Sequence, residues 1–315
     1  MATQWFPTPK GLTLVEIQQR FSTAEKAREY LKSVHWPNGP VCPFCGGKDR
    51  IGSLSANAAS KVRPDLKKCY ACRKQFTVTV GTVFEDSHIK LNLWLIAVYL
   101  MCSSKKGMSA HQLHRMLGVT YKTAWFMFHR LRFGVSQTTF GGKMGGPGKV
   151  VETDDTWIGG KNRGQGKGKG WQNKSHVLAI LERGGNVRSM KMGSVTASNL
   201  KVALREHVEP STRLMTDSAS VFHWPAKEFA SHEKVDHSSG EYVRGDVTTN
   251  GVEGYFALLK RGVHGTYLGQ YLGEFDFRFN HRKIDDCPRT DIAIGKTRGK
   301  RLMLRAPLAS RKITK

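Results

Sequence analysis

Two pairs of cysteines constrain the first part of this chain more than any other feature. Both pairs have the Cys-x2-Cys spacing, and 23 residues separate them; the four residues are Cys42, Cys45, Cys69 and Cys72. Each pair can present two thiolates from one tight turn, and two such turns complete a tetrahedral Zn²⁺ site. A redox pair is the alternative, but two pairs at this separation favour one structural Zn²⁺. Removing the metal would unfold so small a module.

Helical patterns flank this cysteine module. The pattern of residues 1–36 predicts a helical segment with a capping box from Ser22 to Glu25. We expect the zinc ribbon over residues 37–86. A β-hairpin with its turn at Gly81 is predicted in the second half of the ribbon. Residues 87–140 predict a buried helix and then two shorter helices around Gly118, which is helix-turn-helix spacing.

A DNA-binding helix-turn-helix would place the start of its second helix in the major groove. We therefore predict base contacts there, from Thr120, Tyr121, Lys122 and Thr123. Arg130 and Arg132, further along the same helix, are predicted to hold phosphates. A plain helical packing element is the alternative.

The charge of the chain supports a nucleic-acid partner. Its 315 residues include 50 Lys and Arg against 25 Asp and Glu, a formal net charge of +25. Such an excess is typical of proteins that neutralise phosphates, and it is larger than solubility requires. The sequence has no apolar run of membrane-spanning length and no secretory signal pattern, so we expect the protein in a reducing cytoplasm or nucleoid.

The second half of the chain has a different pattern. A glycine-rich stretch at 141–149 predicts a flexible linker. Over 150–290, three successive strands precede alternating helices and strands, which indicates an α/β domain with a mixed sheet in a multidomain α+β chain. Residues 291–315 predict a flexible basic tail. The basic loop at 159–170 is expected to follow the DNA backbone through Lys161 and Arg163.

Acidic residues stand at three informative places in this domain. Asp154 and Asp155 interrupt an apolar strand on opposite faces, and a buried aspartate needs a partner or a cation. Asp217 ends a later strand, where ligands collect in open α/β sheets. Glu253 lies in the first turn of a helix, where Asn250-x-x-Glu253 by itself predicts a capping box.

The order of these acids resembles that of the RNase H-like DDE recombinases. Between Asp217 and Glu253 lie 35 residues, and Lys260 follows Glu253 after six more. Three such carboxylates could hold two Mg²⁺ or Mn²⁺ ions for an in-line displacement at phosphorus. Lys260 and Arg261, on the same helix, are predicted to contact phosphates.

Over residues 15–283 the chain resembles bacterial insertion-sequence transposases with an N-terminal zinc ribbon and an ISXO-type transposase domain. The ribbon, "VETDDTWIGGK", "TDS" and "EYVRGDVTTNGVEGYFALLKRGVHGTY" carry the resemblance. It implies a metal-binding triad of Asp154, Asp217 and Glu253, with Lys260 on DNA. It also implies binding to terminal inverted repeats, strand cleavage, strand transfer into target DNA and a dimeric or larger synaptic assembly.

Several alternatives remain open at this point. The family commonly has Asp-Glu where this chain has Asp154-Asp155, so Asp155 is a rival metal ligand. Related members have asparagine as the third residue, which makes Asn250 a rival to Glu253. His237 is a further candidate near the cleft. A non-catalytic DNA-binding regulator and a metal-dependent nuclease without strand transfer are the alternative functions.

Overall fold

The computed structural model describes residues 11–55, 62–136, 141–159, 174–263 and 267–303. These residues fall into two compact units, the first within 1–135 and 284–315 and the second within 136–283. Lys161 and Arg163 lie outside the described residues. In the ranges given above, no helix has both the length and the apolar character needed to cross a membrane.

The bounds of the elements follow the chain in order. The helices are α1 (Leu14–Arg20), α2 (Ala24–His35), α3 (Leu91–Ser103), α4 (Ala110–Leu117), α5 (Tyr121–Val135), α6 (Ala197–His207), α7 (His223–Ala226), α8 (Asn250–Gly262), α9 (Leu268–Asn280) and α10 (Asp286–Lys296). The strands are β1 (Ile51–Ser53), β2 (Lys67–Cys69), β3 (Gln75–Phe76), β4 (Val150–Ile158), β5 (Ser175–Glu182), β6 (Val187–Met192), β7 (Arg213–Asp217), β8 (Ser231–Val235), β9 (Val243–Arg244) and β10 (Val247–Thr248).

The first unit packs around α3, which is buried along most of its length because α2, α5 and α10 contact it. At the start of α2 the N-cap is Thr23 rather than the predicted Ser22, because the Thr23 hydroxyl accepts the Lys26 amide at 3.2 Å. Helix α10 begins before the predicted tail and extends into it as far as Lys296, and it is packed: Ala293 and Ile294 are fully buried. Its apolar face makes the start of the predicted tail part of this core.

The ribbon is a small antiparallel sheet in the order β1-β2-β3. Its hairpin turn lies between β2 and β3, not at Gly81 as predicted. The second Cys-x2-Cys pair itself forms this turn, and the Cys69 amide donates to the Lys74 carbonyl at 2.9 Å. Gly81 lies in a later turn with a φ of 75°.

Helices α4 and α5 are joined by a short connection, as predicted. Gly118 ends α4 in the left-handed conformation with a φ of 66°, which glycine adopts without strain. The Thr120 hydroxyl then accepts the Thr123 amide at 3.2 Å and caps the start of α5. Local backbone chemistry therefore accounts for the turn between the two helices.

The second unit contains a five-stranded mixed sheet in the order β6-β5-β4-β7-β8. Strands β4, β5 and β6 are antiparallel neighbours, whereas β7 pairs parallel with β4 and β8 parallel with β7. This is the strand arrangement of an RNase H-like fold, and the predicted α/β domain with a mixed sheet is confirmed.

Alternation along the strands gives this sheet two apolar faces. One face packs on α6 and includes Val151, Leu178 and Leu214. The other packs on α8 and α9 and includes Val177 and Ala179. A side chain's position along β4 therefore determines whether it faces α6 or α8.

The predicted flexible linker at 141–149 is packed in the second unit. Met144 is 4% exposed in the core beside α6, and its amide donates to the His207 carbonyl at 2.7 Å. Gly145 has a φ of 84°, and a Cβ there would overlap the Thr212 hydroxyl. Gly145 therefore allows close packing at this point of the stretch.

Candidate active site and zinc centre

Asp154 and Asp217 lie at matching positions on adjacent parallel strands. In the parallel ladder of β4 and β7, Glu152 pairs with Met215, and both aspartates lie two residues further along. Val151 faces α6, so alternation places Asp154 on the face that packs on α8. The same reasoning from Leu214 places Asp217 on that face. The two carboxyl groups therefore lie on one face of neighbouring strands, Asp154 in the middle of β4 and Asp217 at the end of β7.

Their environment opposes ionisation. Burial, followed by the charges of Asp217, Asp155 and Glu253, raises the pKa of Asp154 to about 7, although the Asp155 amide acts in the opposite direction. Burial, with the charges of Asp155 and Glu253, also raises the pKa of Asp217. A bound cation would offset this unfavourable accumulation of negative charge, so the site fits a metal with oxygen ligands.

Asp155 points to the opposite face and already has a partner there. Its carboxylate forms an ion pair with His176. The His176 ring stacks on Trp157, with ring centroids 3.9 Å apart, and Trp157 is 45% exposed. Trp157 therefore lies outside the core. The ion pair favours Asp154 over Asp155 as the residue free to bind a metal.

Glu253 lies in the first turn of α8 and is held by two neighbours. The Thr249 hydroxyl donates to its Oε1 at 2.7 Å, and His237 Nε2 lies 3.2 Å from the same oxygen. His237 also stacks on Tyr242, with centroids 5.1 Å apart. His237 is thus in direct contact with a candidate ligand.

The predicted capping box at Asn250 does not form. Thr249 is the N-cap residue of α8, Asn250 is already helical, and no side chain of the N-cap residue bonds to the helix backbone. Instead, the carboxylate of Glu152 accepts the amide of Val252 at 3.1 Å. Sequence reasoning missed Glu152, although an acid two residues before Asp154 on the same strand face was a visible signal.

The remaining candidates in the second unit are at the other end of α8. Lys260 and Arg261 occupy its last turn, and both side chains are exposed. Both side chains are therefore accessible to a phosphate, and they lie on the same helix as Glu253.

In the first unit the predicted DNA-contacting residues divide into two groups. Thr120, Tyr121 and Lys122 are exposed at the start of α5, and the Tyr121 ring stacks on His111. Arg130 and Arg132 are instead only 5% and 3% exposed. Arg130 donates to the Glu85 carbonyl and packs over Trp94. Their burial differs from the prediction, because a phosphate contact requires an exposed guanidinium group.

The four predicted zinc ligands converge. Their sulfur atoms all lie within 4.8 Å of one another, with Cys42 and Cys72 3.6 Å apart and Cys45 and Cys69 3.7 Å apart. Within the described residues this is the one such group of three or more Cys, His, Asp or Glu ligands. Four thiolates at these positions fit a tetrahedral Zn²⁺.

Comparisons with known proteins match two parts of the chain to family models. Residues 144–280 match the ISXO2-like transposase domain family, and residues 22–75 match the transposase zinc-ribbon domain family. A protein described as an uncharacterised protein in transposable element ISH50 of Halobacterium salinarum is 27% identical over 280 residues. That alignment covers 82% of this chain and 91% of the relative.

Solved structures give weaker similarity. The Mos1 strand transfer complex matches with a TM-score of 0.27 and 14% identity, covering 64% of this chain and 74% of the Mos1 chain. A pre-cleavage Mos1 transpososome has a TM-score of 0.20 at 11% identity, covering 92% and 99%. These TM-scores are too low to support conclusions about function. The two family matches identify residues 144–280 as an ISXO2-like transposase domain and residues 22–75 as a transposase zinc ribbon.

Proposed function

We propose that this transposase binds the terminal inverted repeats of its own insertion sequence and catalyses metal-dependent DNA cleavage and strand transfer into target DNA. The observation that carries the proposal is the pair Asp154 and Asp217 at matching positions of β4 and β7, with Glu253 close enough to raise the pKa of both. Crowded carboxylates on one face of a sheet are suited to holding divalent cations.

In this proposal Asp154, Asp217 and Glu253 would hold two Mg²⁺ or Mn²⁺ ions. Bound there, such ions would supply activation of a water or a 3′-hydroxyl and stabilisation of the leaving oxygen at phosphorus. Glu253 must turn from Thr249 and His237 to join the two aspartates, which frees His237 to contact the substrate. Asp155 remains paired with His176 and keeps the far side of β4 rigid.

DNA recognition is proposed to use both units. Lys260 and Arg261 would contact the DNA backbone beside the active site, and Lys161 and Arg163 would do so from the basic loop. Thr120, Tyr121, Lys122 and Thr123 would read the terminal repeats from the start of α5. The net charge of +25 supports such extensive phosphate contact. Synapsis of two ends would require a dimer or a larger assembly.

The test is a cleavage and joining assay with Mg²⁺, on DNA that carries the element ends. The parent protein should cleave and join, whereas Asp217→Ala should do neither. Glu253→Ala should be as inactive as Asp217→Ala, while Asn250→Ala should retain activity, which separates the two candidates for the third ligand.

Three results would contradict parts of this proposal. Full activity in Asp217→Ala would refute the catalytic assignment. Specific binding to the ends without any cleavage would favour a DNA-binding regulator, and cleavage without joining would favour a nuclease.

A further inference from the structure

A buried carboxylate lies directly against the start of α8. Glu152 is 2% exposed on β4, two residues before Asp154. Its Oε2 accepts the backbone amide of Val252 at 3.1 Å, an amide that has no partner within the helix. Because the N-cap residue Thr249 supplies no side-chain cap, Glu152 takes that function from a neighbouring strand.

The other oxygen of this carboxylate binds an arginine. Arg183, immediately after β5, donates its Nε to Glu152 Oε1 at 3.0 Å. Its two remaining nitrogens donate to the carbonyls of Asp246 at 2.8 Å and Thr248 at 3.2 Å. Arg183 therefore balances the buried charge of Glu152 and also holds the backbone that leads into α8.

Gly251 shows how closely the helix approaches this carboxylate. A Cβ at Gly251 would lie 2.6 Å from Glu152 Oε2 and 3.2 Å from Leu181 Cδ2. No side chain fits between the first turn of α8 and Glu152. Glycine weakens a helix interior, so the close contact gives a physical reason for glycine at this position.

We propose that Glu152, supported by Arg183, is a positioning residue that sets the separation of Asp154 and Glu253. The inference rests on the proposed function, which assigns both acids to one metal site. The connection between the two acids is short. Glu152 lies two positions before Asp154 on β4 and accepts the Val252 amide in one hydrogen bond, and Glu253 is the residue that follows Val252. A buried ion pair contributes little net stability, whereas it can fix geometry.

The test compares metal affinity in three variants of the full-length, zinc-loaded protein. Glu152→Gln removes the ion pair, and Gly251→Ala pushes the helix from the carboxylate without changing any charge. Gly254→Ala, on the same helix, is the control, because a Cβ at this position would meet nothing within 4 Å. Mn²⁺ affinity by electron paramagnetic resonance, and the Mg²⁺ concentration for half-maximal cleavage, are measured for each.

We expect Glu152→Gln and Gly251→Ala to weaken metal affinity roughly 10-fold or more, the usual effect of losing a residue that orients a ligand. Gly254→Ala should match the parent. A lower melting temperature, with an unchanged Mn²⁺ affinity and an unchanged Mg²⁺ concentration for half-maximal cleavage, would show that Glu152 only stabilises the fold. That result would overturn the inference.

A second measurement does not depend on metal or activity. Amide hydrogen exchange over residues 247–256 should be faster in Glu152→Ala than in the parent, because the Val252 amide loses its acceptor. Unchanged exchange would refute the positioning role. A parent protein that never cleaves DNA would instead refute the proposed function, so the two failures are distinguishable.

Discussion

The zinc centre and the acidic site of this chain differ in how closely their ligand atoms converge. The four cysteine sulfurs lie within 4.8 Å of one another, and they come from two short turns. Asp154, Asp217 and Glu253 come from two strands and a helix, and among the described residues no group containing them meets that spacing. Glu253 is bonded instead to Thr249 and His237.

The difference reflects what each region needs from a metal. The ribbon core consists of Cys42, Cys69 and Phe76 with a few partly buried neighbours, too little apolar surface to stabilise a fold alone. The second unit has an apolar core on each face of its sheet. A metal should therefore hold the ribbon together, whereas in the second unit it should serve chemistry, and the carboxylates that would bind it cost stability in the metal-free state.

The largest expected effect is the loss of a zinc ligand. Cys69→Ala should reduce bound zinc from about one ion per chain to nearly none and unfold the ribbon, because metal binding supplies most of its folding free energy. Zinc content by mass spectrometry and proteolysis of the ribbon measure the two effects. Cys287→Ala is the matched control, since this half-buried thiol lies outside the cluster. Full zinc content in Cys69→Ala would refute the centre.

A substitution at the acidic site should have the opposite effect on stability: it should raise the free energy of unfolding while it lowers DNA cleavage. Asp154→Asn should lower DNA cleavage roughly 10³-fold or more, at least about 4 kcal/mol of transition-state stabilisation. At pH 8 the same variant should stabilise the metal-free second unit by roughly 4 kcal/mol, since burial raises the pKa of Asp154 from 3.8 to about 7 and each unit corresponds to about 1.4 kcal/mol. Urea unfolding and cleavage rates measure these effects.

Asp155→Asn is the comparison for that experiment. Because Asp155 is paired with His176 on the opposite face, its loss should cost cleavage at most roughly 10-fold, the lower end of the effect of losing an indirect contact. Equal losses in the two variants would show that Asp155 is a metal ligand, contrary to the ion pair seen here.

The smallest expected effect is a pH dependence of the free energy of unfolding that arises from Asp276 in α9. Asp276 is buried and accepts hydrogen bonds from Tyr255 at 2.6 Å and from the Ser189 hydroxyl at 2.7 Å. Burial raises its pKa from 3.8 to about 7. The folded state therefore retains a proton that the unfolded state loses between these values, so stability should fall as the pH rises through this window, by up to about 1.4 kcal/mol per pH unit.

Unfolding of the metal-free protein between pH 5 and pH 8 would test this sign, with the pH range chosen to span roughly the interval over which a buried carboxyl titrates. The Asp154→Asn background removes the parallel titration at the acidic site, and adding Asp276→Asn should flatten the remaining slope. A slope that persists in the double variant would assign the pH dependence to another group.

Local patterns predicted much of this molecule. The cysteine spacing identified the four residues that converge, and the strand and helix periods identified the mixed sheet and its order of elements. Alternation along β4 was enough to separate Asp154 from Asp155 by face. The predictions that differ involve packing: the burial of Arg130 and Arg132, the packed stretch at 141–149, and the helix that extends into the predicted tail.

The sequence by itself determined features that depend on neighbours along the chain, such as turns, periodicity and metal-ligand spacing. Only the tertiary structure decided which distant groups meet. Glu152 caps a helix amide 100 residues away and binds an arginine 31 residues away. Such contacts arise when a strand and a helix pack on one face of a sheet, and no local period encodes them. For this reason the sequence predicted a capping box of Asn250 and Glu253 at the start of α8. In the fold, Glu152 caps this helix instead.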